Sequence, residues 1–273
     1  MPELPEVETI CKGITPIINS NKITDVIQKR NDLRWPLKKD IKNNLVGKEC
    51  KEPFRIGKYI LIPINNNFIL LIHLGMSGRL RIFNKHPIYK KHDHFSMCLN
   101  AKHWIVYSDP RRFGFIDLFN KKSLKNHFLL KNLGMDALSN ELNTNWLLEK
   151  FKNKKTSIKN VLLNQNILAG IGNIYCNEIL FAAKIHPNRL ASSIEKENVE
   201  KLIFFIKNIL KNAIKAGGTT IKDHLNPNGE IGYFKNELKV YGKLKMGCVD
   251  CKQKIKEKKI SGRSTYYCSF CQK

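Results

Sequence analysis

Apolar residues recur at spacings of three and four along the first residues, at Leu4, Val7, Cys11, Ile14 and Ile18. That is the period of an amphipathic helix. Pro16 is expected to end the helix early, because an interior proline removes a backbone donor. From Ile23 to Phe119 the pattern changes to short runs rich in β-branched and aromatic residues. Tyr59 to Ile64 and Phe68 to Leu74 flank Asn65-Asn66-Asn67, which reads as a hairpin. Gly75-Met76-Ser77-Gly78 is a second turn, leading into Arg79 to Phe83. Phe95 to Leu99 and Trp104 to Tyr107 flank a third turn at Asn100, and Phe115 to Phe119 closes the set. Short strands at this spacing predict a sandwich or barrel.

Further along, the helical period returns. It predicts helices over Asn145 to Phe151, Ser157 to Leu163 and Ile174 to Ala183. A longer fourth helix carries Val199, Leu202, Ile206, Ile209, Ala213 and Ile214, and Gly217-Gly218 stops it. The polar, glycine-bearing stretch from Gly217 to Gly232 is too long for a connector, which makes it a candidate functional loop. Two turns, Asn164-Gln165-Asn166 and Ala169-Gly170-Ile171-Gly172-Asn173, join the second and third of these helices. The predicted fold class is α+β and multidomain. An N-terminal helix plus a β-sandwich domain spans residues 1–125. A helical helix–two-turns–helix domain with the candidate loop spans 126–235, and a zinc ribbon spans 236–273.

The last of these rests on its cysteines. Cys248-x-x-Cys251 and Cys268-x-x-Cys271 have the paired spacing of a zinc site. Four thiolates complete a tetrahedral zinc and leave no position for a substrate, so one structural Zn2+ per chain is expected. The segment between the pairs is rich in lysine and turns at Ser261-Gly262-Arg263, a two-stranded ribbon presenting Arg263. So short a segment has little core, and metal binding should supply much of its folding energy. Cys11, Cys50, Cys98 and Cys176 are scattered and are expected in the core.

Lys and Arg number 48 against 23 Asp and Glu, a net charge of +25. Such an excess favours a polyanionic partner, nucleic acid first and a membrane surface second. An AT-rich genome would also enrich lysine, although it does not explain the shortage of acids. Apolar residues at 42% exclude a disordered chain. No run is long enough to span a bilayer, and the acidic start lacks the basic segment of a signal peptide. A cytoplasmic location with reduced thiols is expected.

The start, Met1-Pro2-Glu3-Leu4-Pro5-Glu6, carries candidate chemistry of its own. A small second residue permits removal of Met1 and leaves a free secondary amine on Pro2. A terminal amine titrates near ~8 and a lysine near ~10.4, so the former is the readier nucleophile at neutral pH. On a sugar aldehyde carbon it would form a cationic iminium, with Glu3 alongside as a proton donor. Many chains start Met-Pro with no such purpose, and the fragment alone leaves both readings open. Asp109-Pro110-Arg111-Arg112-Phe113-Gly114 suits phosphate contact around an intercalating wedge, or equally an arginine-rich turn with a core phenylalanine. Asn173 opens a helix whose free N–H groups suit a phosphate, or it belongs to an ordinary helical hairpin. Lys58, at the start of a strand, reads by itself as surface.

Together these residues resemble the bacterial formamidopyrimidine-DNA glycosylase family. The resemblance runs through M-P-E-L-P-E-V-E, R-I-G-K-Y at 55–59, H-L-G-M-S-G at 73–78 and D-P-R-R-F-G at 109–114. It continues through G-I-G-N-I-Y at 170–175 and H-P-N-R at 186–189 to the ribbon. It implies a bifunctional glycosylase and abasic-site lyase of base excision repair, acting on oxidised purines in duplex DNA. Pro2 would be the nucleophile, Glu3 the general acid, Lys58 the β-elimination lysine and Arg263 the δ-elimination arginine. Met76, Arg111 and Phe113 would fill the hole left by the flipped base, with Arg111 facing the orphaned cytosine. His73 belongs to the same DNA-binding set, and His92, Lys154, Lys159 and Asn173 would contact the DNA backbone. The Gly217 to Tyr233 stretch would close over the extruded base. The implied partner is double-stranded DNA carrying oxidised purines or abasic sites. A monomer without membrane association, located with the nucleoid, is expected. The sibling group resembling endonuclease VIII, which removes oxidised pyrimidines, is the nearest alternative. A non-catalytic zinc-ribbon binder is the alternative of a different class.

Overall fold

The computed structural model describes residues 2–219 and 233–273. Their contacts divide into two compact units, one of Met1–Lys131 with Ala216–Lys235, the other of Asn132–Lys215 with Asn236–Lys273.

The first unit opens with α1 (Leu4–Ile18), which buries the predicted stripe of Leu4, Val7, Cys11, Ile14 and Ile18. Pro16 lies within this helix rather than ending it. It withholds a single donor so close to the terminus that the last turn still closes, with Asn19 N–H donating to the Thr15 carbonyl at 2.9 Å. There follow β1 (Ile23–Gln28), a short α2 (Ile41–Leu45), β2 (Phe54–Ile56), β3 (Tyr59–Ile64) and β4 (Phe68–His73). Then come β5 (Arg79–Phe83), β6 (Asp93–Leu99), β7 (His103–Ser108) and β8 (Phe115–Asn120). They form two four-stranded sheets in the orders β1-β6-β7-β5 and β2-β3-β4-β8. Every neighbouring pair is antiparallel.

The sheets make the predicted sandwich. Ile60, Ile62, Leu70 and Ile72 of one join Val26, Leu80, Met97 and Ile105 of the other in a single buried cluster. Helix α1 lays Val7, Ile10 and Ile14 on that cluster, which fixes the position of its N-terminal end. Two hairpins turn on left-handed residues where the sequence placed them, at Asn65 (φ 47°) and at Asn100 and Ala101 (φ 50° and 55°).

The second unit is largely helical. A short parallel pair joins β9 (Met135–Asp136) to β10 (Leu168–Ala169). Helix α3 (Thr144–Phe151) is capped by the Asn143 side chain and α4 (Ile158–Leu163) by Ser157. Helix α5 (Asn173–Ala182) is buried from Ile174 to Phe181, and α6 (Lys196–Lys215) turns only one stripe inward. The chain ends in a two-stranded ribbon, β11 (Lys256–Ile260) paired with β12 (Arg263–Tyr267). Glu178 of α5 accepts the backbone N–H groups of Lys239, Val240 and Tyr241, anchoring the segment that leads to the ribbon. No helix among the described residues is long and apolar enough to cross a membrane.

Candidate active site and nucleic-acid interface

In the first unit, Pro2 and Glu3 are buried at the N-terminal end of α1, with Glu3 as its cap residue. The unsatisfied N–H groups of a helix start favour neutral or negative groups there. Glu6, one turn in, uses both carboxylate oxygens. One accepts the Glu3 backbone N–H at 2.9 Å. The other accepts the Thr219 N–H at 2.8 Å and its hydroxyl at 3.0 Å. Glu6 therefore fixes the chain around Glu3 and also the first stem residue of the glycine-bearing stretch. The other stem returns beside it, with Phe234 N–H donating to the Gly218 carbonyl at 3.1 Å. The stretch named as a closing loop lies, from 220 to 232, outside the described residues.

Lys58 is buried, in the turn between β2 and β3. Arg55 ties that turn to α1, with its Nε donating to Glu8 at 3.0 Å and its Nη1 to the Gly57 carbonyl at 2.9 Å. The R-I-G-K-Y segment thus holds its lysine through its arginine. His73 ends β4 against Tyr59, the rings 4.8 Å apart. Its Nδ1 accepts the Gly75 N–H at 3.3 Å, which leaves the ring proton on Nε2. Burial, then the charges of Lys58 and Arg34, push its pKa down to about 4, so the ring is neutral at physiological pH.

Met76, Arg111 and Phe113 are all exposed. They sit on two turns in direct backbone contact: a Cβ on Gly75 would lie 2.4 Å from the Phe113 carbonyl carbon and 2.5 Å from the Gly114 nitrogen. Only glycine permits so close an approach. The Arg111 guanidinium stacks 4.7 Å from the Phe113 ring centroid. His92 is half-buried beside them, its carbonyl accepting the Asp109 N–H at 2.9 Å. Behind the loop, Arg34 N–H donates to the Gly114 carbonyl at 3.1 Å, and Trp35 packs edge-on against Phe115.

In the second unit the two turns are stitched by Gln165, which donates to the Ile171 carbonyl at 2.8 Å and accepts from Gly170 N–H at 2.9 Å. Lys154 is exposed between α3 and α4. Lys159 differs from the expectation of a backbone contact. It is fully buried, and its ammonium donates to the Ser264 carbonyl at 3.1 Å and to Thr265 Oγ1 at 2.7 Å. The Asn173 amide converges on the same Ser264 carbonyl at 3.0 Å. The two residues clamp the strand immediately after Arg263, which projects exposed from the ribbon turn. Spacing in the sequence cannot distinguish a lysine aimed at DNA from one aimed at its own ribbon.

The four cysteine sulfurs lie within 4.8 Å of one another, with Cys251 and Cys268 at 3.5 Å and Cys248 and Cys271 at 3.9 Å. Tetrahedral zinc with thiolates ~2.3 Å away needs sulfurs roughly 3.8 Å apart, so the set fits the ion. It does not fit disulfides, whose sulfurs stand ~2 Å apart. Each knuckle is closed alike, Lys252 N–H on the Cys248 carbonyl and Gln272 N–H on that of Cys268. Among the described residues the apolar cluster around them is small, consisting of Phe181, Val240 and Ile255 besides the cysteines and Tyr266. Cys11, Cys50, Cys98 and Cys176 are buried, as expected.

A strongly basic chain with a buried Pro2–Glu3 pair, an exposed arginine–phenylalanine loop and a four-cysteine cluster has the equipment of a DNA-processing enzyme. Comparison with known proteins makes the class specific. Residues 1–116 match the formamidopyrimidine-DNA glycosylase N-terminal domain and residues 133–224 the formamidopyrimidine-DNA glycosylase H2TH domain. A formamidopyrimidine-DNA glycosylase of Roseobacter denitrificans is 42% identical, with all of both chains covered. Among solved structures, a Lactococcus lactis FPG mutant in complex with a Fapy-dG containing DNA aligns with a TM-score of 0.93. It is 33% identical, with 99% of each chain covered. A complex of Lactococcus lactis Fpg with abasic-site DNA aligns with a TM-score of 0.91 at 34% identity, again over 99% of each chain. The chain belongs to the formamidopyrimidine-DNA glycosylase family, the DNA glycosylases and abasic-site lyases of base excision repair.

Proposed function

We propose that this protein excises oxidised purines, 8-oxoguanine and formamidopyrimidines, from duplex DNA and then cleaves the resulting abasic strand. The carrying observation is the buried Pro2–Glu3 pair at the start of α1. With Met1 removed, the Pro2 nitrogen attacks C1′ of the damaged nucleotide, and the C1′–base bond breaks as the base leaves with a proton. Glu3 delivers a proton to the sugar ring oxygen, the ring opens, and the nitrogen lone pair forms the iminium. That cation accepts the electron pair left when C2′ loses a proton, and the enamine so formed expels the 3′ phosphate, which leaves with the C3′–O bonding pair. Lys58 serves this β-elimination, and Arg263 serves the second elimination that expels the 5′ phosphate.

The flipped base leaves a hole, and unstacking costs a few kcal/mol. Met76, Arg111 and Phe113 fill it, Arg111 presenting its planar donors to the acceptor edge of the orphaned cytosine. His73, through Nε2–H, with His92, Lys154 and Asn173, meets the backbone, while Lys159 acts on DNA through the ribbon it holds. One structural zinc on Cys248, Cys251, Cys268 and Cys271 would crosslink the ribbon and supply its rigidity. The protein works on duplex DNA as a monomer beside the nucleoid.

Borohydride trapping tests the core of this reading. The form opening on Pro2 should give a covalent adduct with 8-oxoguanine duplex, and a form retaining Met1 should give none. An undiminished adduct with Met1 in place would move the chemistry to an internal lysine. Faster turnover of thymine glycol than of 8-oxoguanine would replace the purine assignment with the pyrimidine one.

A further inference from the structure

Asp109 has no role in the chemistry above, yet it is completely buried and accepts four hydrogen bonds. Oδ1 takes the Ser77 hydroxyl at 2.5 Å and the Arg111 N–H at 3.3 Å. Oδ2 takes the Gly114 N–H at 2.8 Å and the Tyr107 hydroxyl at 3.1 Å. Burial, then the Asp109 charge, pushes the Tyr107 phenol well above its ordinary range, so it remains a donor. The Asp109 carbonyl is engaged too, by Arg112 N–H at 3.2 Å and by His94 Nε2 at 2.8 Å.

These bonds have a common effect. Asp109 accepts N–H groups on both sides of Phe113, so it sets the path of the 109–114 loop. Ser77 belongs to the other turn, next to Met76, and its hydroxyl also accepts the Arg111 N–H at 3.1 Å. The carboxylate therefore joins the Met76 turn to the Arg111 backbone through one hydroxyl. Arg112 sits at φ 58°, a left-handed conformation unfavourable to arginine that persists only where the surroundings enforce it. A buried carboxyl whose two oxygens accept four hydrogen bonds is held strongly and stiffly.

We propose that Asp109, acting through Ser77, is the positioning residue that sets opposite-base specificity by holding Arg111 in register with Met76 and Phe113. The proposal rests on the reading of Arg111 as the residue that meets the orphaned base. A guanidinium that discriminates cytosine from adenine must be placed closely, because cytosine offers its fork two adjacent acceptors, N3 and O2, where adenine offers one, N1, beside a C–H. A loosened loop still fills space and still meets phosphate, but it no longer enforces the pairing.

The test compares the intact protein, Asp109→Asn and Ser77→Ala. Single-turnover excision of 8-oxoguanine is measured opposite cytosine and opposite adenine, with borohydride trapping on a single-stranded abasic oligonucleotide as the control. Wild type should favour cytosine. Both variants should lose about tenfold of that ratio, the value of one discriminating contact, while trapping on the single strand stays near wild type. A merely structural role would lower every rate together and keep the ratio, and that result overturns the proposal. Ser77→Ala removes only a hydroxyl, so it decides the matter if Asp109→Asn does not fold. A wild type without cytosine preference removes the Arg111 reading, and the proposal with it. A wild type with the preference and variants that retain it overturns the proposal alone.

Discussion

Several side chains that hold the candidate site pair with residues far away in the sequence. Glu6 bonds Thr219, Asp109 bonds Ser77, and Arg55 bonds Glu8. None of these pairings has a local signature, so sequence reading names Arg111 and Lys58 and misses the residues that brace their turns. His73 shows what the bracing does to chemistry. Its pKa falls from an ordinary 6.5 to about 4 through burial and the neighbouring cations. The folded protein therefore binds fewer protons than the unfolded chain between these values. Stability is fully present above pH 6.5 and is lost as pH falls towards 4, by at most about 3 kcal/mol from this one group. His73→Gln, which cannot take up that proton, should show a shallower fall in melting temperature across the same interval. Parallel curves for variant and wild type would mean that His73 titrates normally and that its neutral Nε2–H donor role is wrong.

At the scale of elements the legible parts were those with a local cause. The Asn65 and Asn100 hairpins, the α1 stripe and the strand from Arg79 to Phe83 came from periodicity and turn residues, and the structure has them. The pairing of β1 with β6 across the sandwich, and the two-residue parallel match of β9 with β10, have no local signal. Pro16 shows the opposite failure, a strong local rule that costs little near a helix terminus. The ribbon was legible because the paired C-x-x-C spacing is local, and its small apolar cluster leads us to expect its folding to depend on a bound metal ion. Chelation should release one zinc per chain and unfold the ribbon, with loss of DNA affinity. The sandwich, which has its own core, should keep its near-ultraviolet signature and its thermal transition. Full DNA affinity in the metal-free protein would show that neither the ribbon nor Arg263 contributes to binding.

For the molecule as a whole, the question left by the sequence is whether a charge of +25 is a device or a compositional accident. The family assignment alone does not decide it, because an AT-rich genome would enrich lysine in any protein. The structure sharpens the question by showing that basic residues are used in different ways. Lys159 is spent inside the second unit, Lys184 is paired with Asp250, and Arg111 is stacked on its own Phe113. Lysines that merely reflect composition would sit near DNA only by chance, whereas those that neutralise phosphates release counterions when the complex forms. Counterion release is measurable: the logarithm of affinity falls linearly with the logarithm of salt, with a slope of about −0.9 per phosphate neutralised. An enzyme that must search undamaged duplex before flipping a base needs such sequence-independent attraction. Undamaged duplex should therefore bind with a slope of roughly −5 to −9, for about six to ten phosphates. Raising salt from about 50 to 200 mM should weaken binding by ~10³-fold or more. At saturating protein, single-turnover excision should change far less, since the chemistry proposed for Pro2 and Glu3 follows binding. Titration of a labelled undamaged duplex at several salt concentrations reads the slope directly. A slope near zero would assign the lysine excess to composition and leave the residues proposed to insert into the duplex to carry affinity alone.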